Sequence, residues 1–131
     1  MKKNTAIFTF CAALLLTGCS NVEKKQDEKN IQNVQQVITG KATWYGKKFH
    51  GKKTASGETY DMFKMTAAHK TLDFGTKLKV TNIKNGKSVE VYINDRGPFM
   101  ENVIIDLSYS AFKEIETPEK GFADVKIEVL K

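Results

Sequence analysis

Cysteine is nearly absent. Of 131 residues only two are cysteine, and both, Cys11 and Cys19, lie at the start of the chain. Everything beyond residue 19 therefore has neither a disulfide nor thiol chemistry. No segment can span a membrane: the one long apolar run, residues 6–16, is too short and no second run follows. Metal signatures are missing too. Glu58, Asp61, His69 and Asp95 are permissible ligands, but none of their intervals matches a His-Glu-x-x-His helix or a paired-cysteine site, so neither a metal nor another cofactor is expected. A Gly-x-Ser-x-Gly elbow for a serine nucleophile is also lacking. The net charge of +6 comes from scattered lysines. Without a basic stripe interleaved with aromatics, nucleic acid is not an expected partner, whereas anionic polymers and membrane surfaces are.

What is present begins with a processing signal. "MKKNTAIFTFCAALLLTGCS" combines Lys2 and Lys3, an apolar run and a small-residue stop, the features of a secretory signal over residues 1–18. Its end, "LTGC" at residues 16–19, resembles the lipobox of bacterial lipoproteins, which are cleaved before the cysteine and lipidated on it. Cys19 is then the lipidation site, and several acyl chains at about 0.8 kcal/mol per buried CH₂ make a durable membrane anchor. Cys11 leaves with the signal, which argues against the alternative of a Cys11–Cys19 disulfide. Loss of Lys2 and Lys3 lowers the net charge from +6 to +4. Ser20 is compatible with sorting to the periplasmic face of the outer membrane, because the aspartate typical of inner-membrane retention is absent.

Residues 19–39 follow as a lipidated cysteine and a polar tether, with too few apolar residues to pack. From residue 40 to 131 the composition changes: eight of the nine glycines and both prolines fall here. "KATWYG" opens this domain. "KLKVTNI" and "SVEVYIN" flank "KNGK", and Asn-Gly between two such runs is a strong hairpin signal. Val89, Val91 and Ile93 share one face, as do Ala123, Val125, Ile127 and Val129 in "FADVKIEVL". Two short helices are predicted. One lies near "TAAHKTL". The other is "SYSAFKEI", where Leu107, Ala111 and Ile115 recur every fourth residue after a Ser108 cap. Six or so short strands in about 90 residues predict a mainly β fold, a small closed barrel whose closure removes exposed edges.

The polar residues able to do chemistry gather in "TASGETYDM", with Glu58 and Asp61, in "MTAAHKTLDFGT", with His69, and in "YINDRGPF", with Asn94, Asp95 and Arg96. Asp95 follows three alternating inward residues, and Gly97-Pro98 stiffens the turn after it. An acid held this way can have its pKa tuned as a general acid requires. The plainer reading is that Asp95 caps the turn and pairs with Arg96. For His69 the plainer reading is a satisfied structural histidine.

The segments "GKATWYG", "FHGKKTASGETYDM", "TAAHKTLDFGTKLKVTNIKNGKSVEVYINDRGPF" and "IDLSYSAF" together resemble the RlpA (rare lipoprotein A) family across residues 40–131. The resemblance implies a six-stranded double-psi β-barrel with short helices, similar to the core of expansins. It implies an envelope lipoprotein acting as a lytic transglycosylase on peptidoglycan glycan strands, with a preference for strands lacking stem peptides and 1,6-anhydromuramoyl ends as product. It assigns the catalytic set to Asp95, as general acid, with Asp61, His69 and Glu58. Arg96, Trp44, Tyr45, Tyr60 and Asn94 become candidates for contacting substrate, Trp44 being equally suited to the core. The alternative is a non-catalytic, expansin-like glycan-binding module using the same groove. Two departures stand out. Asp73 occupies a position where many relatives have proline, and the chain ends at Lys131 with no room for the glycan-binding SPOR domain of larger members, which leaves septal targeting open.

Overall fold

The computed structural model describes residues 33–131; the signal, the lipobox and most of the tether lie outside the described residues. Six strands form one closed barrel: β1 (Val34–Trp44), β2 (Thr66–Ala68), β3 (Lys77–Asn82), β4 (Ser88–Asp95), β5 (Val103–Leu107) and β6 (Ala123–Leu130). Their order around the barrel is β1-β5-β2-β4-β3-β6. The β1/β5 and β2/β4 pairs are parallel, and the other four neighbours run antiparallel. This is the expected double-psi β-barrel with short helices.

Local chemistry explains the elements that alternate. In β4, Val89, Val91 and Ile93 are buried while Ser88 and Glu90 are exposed. In β6, Ala123, Val125, Ile127 and Val129 are all buried, and this strand closes the barrel by pairing with both β1 and β3. The β3–β4 hairpin turns where Asn-Gly predicted it. Gly86 adopts φ +74°, a left-handed conformation that costs glycine little, and its N–H donates to the Asn82 carbonyl at 2.9 Å.

The short helix α1 (Tyr109–Ile115) starts at the expected cap. The Ser108 hydroxyl accepts from the Ala111 amide at 3.2 Å and donates to the Lys64 carbonyl at 2.6 Å. The helix buries Ala111, Phe112 and Ile115 in the barrel core. Ser108 itself is fully buried, so one side chain both begins a helix and ties it to the chain before β2.

Three features differ from the sequence expectation. "TAAHKTL" is not helical: Thr66–Ala68 is β2, buried along its whole length between β4 and β5. Small residues buried on both faces show no alternation, and the partners that fix this strand are remote in sequence. The first strand starts at Val34, so residues 34–39, given to the tether on composition, pair with β6 as a largely exposed ribbon. A 3₁₀ turn at Lys47–Phe49 was also not anticipated.

Replacing Ser108 with alanine removes the cap and the tie to the Lys64 carbonyl, which keeps only the Thr66 amide at 3.1 Å. The expected cost is about 2 kcal/mol, read as a lower midpoint in chemical denaturation. An unchanged midpoint would mean that neither hydrogen bond supports the fold.

Candidate functional site

Backbone register brings four residues into one row across four neighbouring strands. Ala68 of β2 pairs with Asp95 of β4 on one side and with Asp106 of β5 on the other. Asp106 in turn pairs with Thr43 of β1. Two inter-strand steps separate the aspartates, roughly 10 Å between their Cα atoms. Because the residue between them is alanine, the space above it stays open.

Two irregularities aim this row. The β2/β4 register skips a residue between Ala67 and Ala68, so that Ala67 faces Ile93 and Ala68 faces Asp95. A second shift lies in β1/β5 between Lys41 and Ala42, just before Thr43. Such bulges break the simple alternation and redirect a side chain. Asp95 thus leaves the inward set of Val89, Val91 and Ile93, and Asn94 is buried instead.

Ala68, Asp95 and Asp106 line an open cavity of about 320 Å³, together with Tyr45, Tyr60, Phe49 and the Arg96–Phe99 loop. The two carboxylates are held differently. Asp95 Oδ1 accepts from two backbone amides, Ala55 at 2.9 Å and Arg96 at 2.8 Å. These bonds fasten the 54–58 loop to the end of β4. Asp106 is hydrogen bonded to the Thr43 hydroxyl. Burial, and secondarily the charge of Asp95, pushes its pKa up to about 6. Two acids with unequal environments in one cavity are suited to divide proton donation from proton acceptance.

Tyr45 completes the wall. Its ring lies 4.3 Å from that of Tyr60, and the Tyr60 hydroxyl donates to the Tyr45 carbonyl at 3.0 Å. Burial raises the Tyr45 pKa, and Tyr60, Asp95 and Asp106 push the same way while the Thr66 hydroxyl opposes them. The Tyr45 and Thr66 hydroxyls are both buried without a well-aligned hydrogen-bond partner. At the mouth, Phe99 is 89% exposed.

Of the other residues singled out in the sequence, Arg96 also lines this cavity; the rest lie elsewhere. Glu58, Asp61 and Asn94 line a separate depression with Tyr92 and Lys64. There the Asn94 amide donates to Glu58 Oε2 at 3.0 Å, and Asp61 accepts from the Phe63 amide and sits 4.0 Å from His50. His69 is buried and does not line the cavity. Its Nδ1 accepts from the Thr71 and Leu72 amides, both at 3.1 Å, and burial, then Arg96 and Lys70, lowers its pKa. Its Nδ1 is thus occupied by the backbone of its own loop. Arg96 donates to the His69 and Leu72 carbonyls and stacks 4.1 Å above Phe74, so it holds the 69–74 loop and forms no ion pair with Asp95. Trp44 packs on Tyr109 and Phe112 and donates to the Pro118 carbonyl, on the core side. Among the described residues no cluster of three His, Cys, Asp or Glu is arranged for a metal.

Asp106 was not among the sequence candidates. Its signal was an acid inside "VIIDL", on the face opposite the buried Val103, Ile105 and Leu107.

Comparison with known proteins adds the following. Residues 37–127 match the family described as lytic transglycolase. The endolytic peptidoglycan transglycosylase RlpA of Vibrio cholerae is 59% identical over 92 residues, covering 70% of this chain and 35% of that protein. The Neisseria meningitidis protein of the same name is 52% identical over 105 residues, covering 80% of this chain and 44% of that one. The chain thus spans less than half the length of these relatives. Among solved structures, a Streptomyces papain inhibitor superposes with a TM-score of 0.62 at 22% identity, over 75% of this chain and 97% of that one. A Clavibacter michiganensis expansin in complex with cellohexaose gives 0.58 at 21% identity, over 73% of this chain and 51% of that one. At these identities the solved structures share the fold.

The raised pKa of Asp106 has a stability consequence. The folded state holds this proton more tightly than the unfolded chain, so the contribution is favourable at low pH and is lost as pH rises through about 6. Asp106→Asn should therefore raise the melting temperature at pH 7 to 8, with the gain shrinking as pH falls towards 4. A gain independent of pH would contradict this assignment.

Proposed function

Because this chain belongs to the RlpA family and carries its double-psi β-barrel domain, we propose that the cavity between Asp95 and Asp106 binds peptidoglycan glycan strands and acts on them as a lytic transglycosylase. The observation that carries the reading is the row Asp95–Ala68–Asp106, two acids in unequal environments on either side of an open space. Asp106, protonated below about pH 6, donates to the glycosidic oxygen between N-acetylmuramic acid and N-acetylglucosamine. The muramoyl C6 hydroxyl attacks C1 as the C1–O bond breaks, and its proton passes to Asp95. The product is a 1,6-anhydromuramoyl end; no water is consumed and no carboxylate becomes a nucleophile, unlike in ordinary retaining glycosidases. The acid role, given to Asp95 on resemblance, is thus moved to Asp106. Glu58, Asp61 and His69 support loops around the cavity at one remove. Strands lacking stem peptides are the preferred substrate. The lipobox supports anchoring through Cys19 at the periplasmic face of the outer membrane, with the barrel facing the cell wall.

A second reading keeps the glycan and drops the chemistry, leaving an expansin-like binding module. The solved structures favour it: an expansin that contains a barrel of this fold has been captured with cellohexaose.

The two readings separate on product. The full chain, Asp106→Asn and Asp95→Asn are incubated with peptide-free strands and with intact sacculi, and the released fragments are weighed by mass spectrometry. The enzyme reading expects anhydromuramoyl fragments from the parent, a loss of at least about 100-fold in Asp106→Asn, and turnover that falls as pH rises above about 6. Folded protein that sediments with glycan but releases no such fragments establishes the binding module.

A further inference from the structure

The floor of the cavity is acidic, but its rim is cationic. Lys47, Lys48, Lys52 and Lys53 fall within seven consecutive positions, and Lys52 and Lys53 line the cavity itself, together with the Arg96–Phe99 loop. None of the four pairs with a described acidic side chain. Nor do they act as counter-ions for Asp106, whose environment is set by burial and by Asp95.

Their backbone is fixed even though their ammonium groups are free. The Lys52 amide donates to the Phe49 carbonyl at 3.0 Å, the Lys52 carbonyl accepts from the Tyr60 amide at 2.7 Å, and Lys53 bridges to Thr59. Lys48 and Lys52 both lie over the Phe49 ring, at 5.1 and 5.8 Å from its centroid. The segment therefore presents positive charge without an acidic partner beside an aromatic ring, in the same cavity as two carboxylates. A neutral sugar needs the floor and the aromatic face but not the charge. A sugar carrying a carboxylate needs all three.

We infer that Lys52 and Lys53 bind a carboxylate carried by the glycan, and that this contact makes the site selective for strands on which that carboxylate is free. The inference rests on the glycan-binding reading above. Muramic acid carries a lactyl ether ending in a carboxyl group. That group is an anion when no stem peptide is attached and a neutral amide when one is. A lysine pair positioned at the lactyl group thus reads that position, an anion in stripped strands and a neutral amide in peptide-bearing ones, whether or not the bound strand is then cleaved.

The test compares binding of the full chain, kept in detergent, to peptide-free strands and to the same strands with their carboxylates capped as methylamides. Capping should weaken binding by the parent about tenfold, the scale of two exposed ion pairs. Lys52→Gln/Lys53→Gln should bind free strands about as weakly as the parent binds capped ones, with no further loss on capping and a flatter salt dependence. Lys52→Arg/Lys53→Arg, which keeps the charge, should retain the parent's discrimination. Equal binding of free and capped strands by the parent overturns the inference, as does an equal loss by the glutamine variant on both or no binding to either. Product analysis of the same samples keeps the outcomes apart: cleavage without charge discrimination sinks the inference alone, and discrimination without cleavage sinks only the transglycosylase reading.

Discussion

Ala68 lies in register with Asp95 on one side and with Asp106 on the other, and the rest of the site depends on that double pairing. Closing the barrel places the three-residue β2 between the ends of two longer strands. The bulge in β2/β4 then turns Asp95 out of the core set and onto the row shared with Asp106 and Thr43. A larger residue at position 68 would fill the space that the two acids face. The site is thus a product of lateral register, and the loops refine it: the Ala55 amide on Asp95 and the Arg96 guanidinium on the His69–Leu72 carbonyls hold the two flanking loops in place.

Stability and chemistry pull against one another here. Asp106 is partly buried beside a second acid, with the Thr43 hydroxyl as its hydrogen-bond partner. A core optimised for stability alone would not keep it. The same burial gives an acid able to hold a proton near neutral pH, which an exposed aspartate does not do. The opposing charge is kept at the rim, where solvated lysines carry no such burial cost.

Much of the fold was legible in the sequence because local signals specify it. The alternation of β4 and β6, the Asn85-Gly86 turn and the Ser108 cap are each written within a few residues, and each appears in the structure. β2 was misread as helix because "TAA" is small and apolar on both faces, and its partners lie about 25 and 40 residues away. Of the candidate site residues, Asp95, Arg96, Tyr45 and Tyr60 do meet at one cavity. Glu58, Asp61 and Asn94 are grouped a short way off, because consecutive residues at the end of β4 face different sides. Asp106 went unnoticed because its role comes from strands adjacent in space, a relation that spacing along the chain does not carry.

The central claim is that Asp95 and Asp106 form an interacting pair across Ala68, with Asp106 the member that holds its proton. Its most direct test is a carboxyl titration followed by ¹³C NMR on the parent and on Asp95→Asn. Asp106 should titrate near pH 6 and move down, part of the way to the ordinary range, when Asp95 is replaced by the neutral amide. An Asp106 that titrates near 3.9, or one indifferent to the Asp95 substitution, would contradict it.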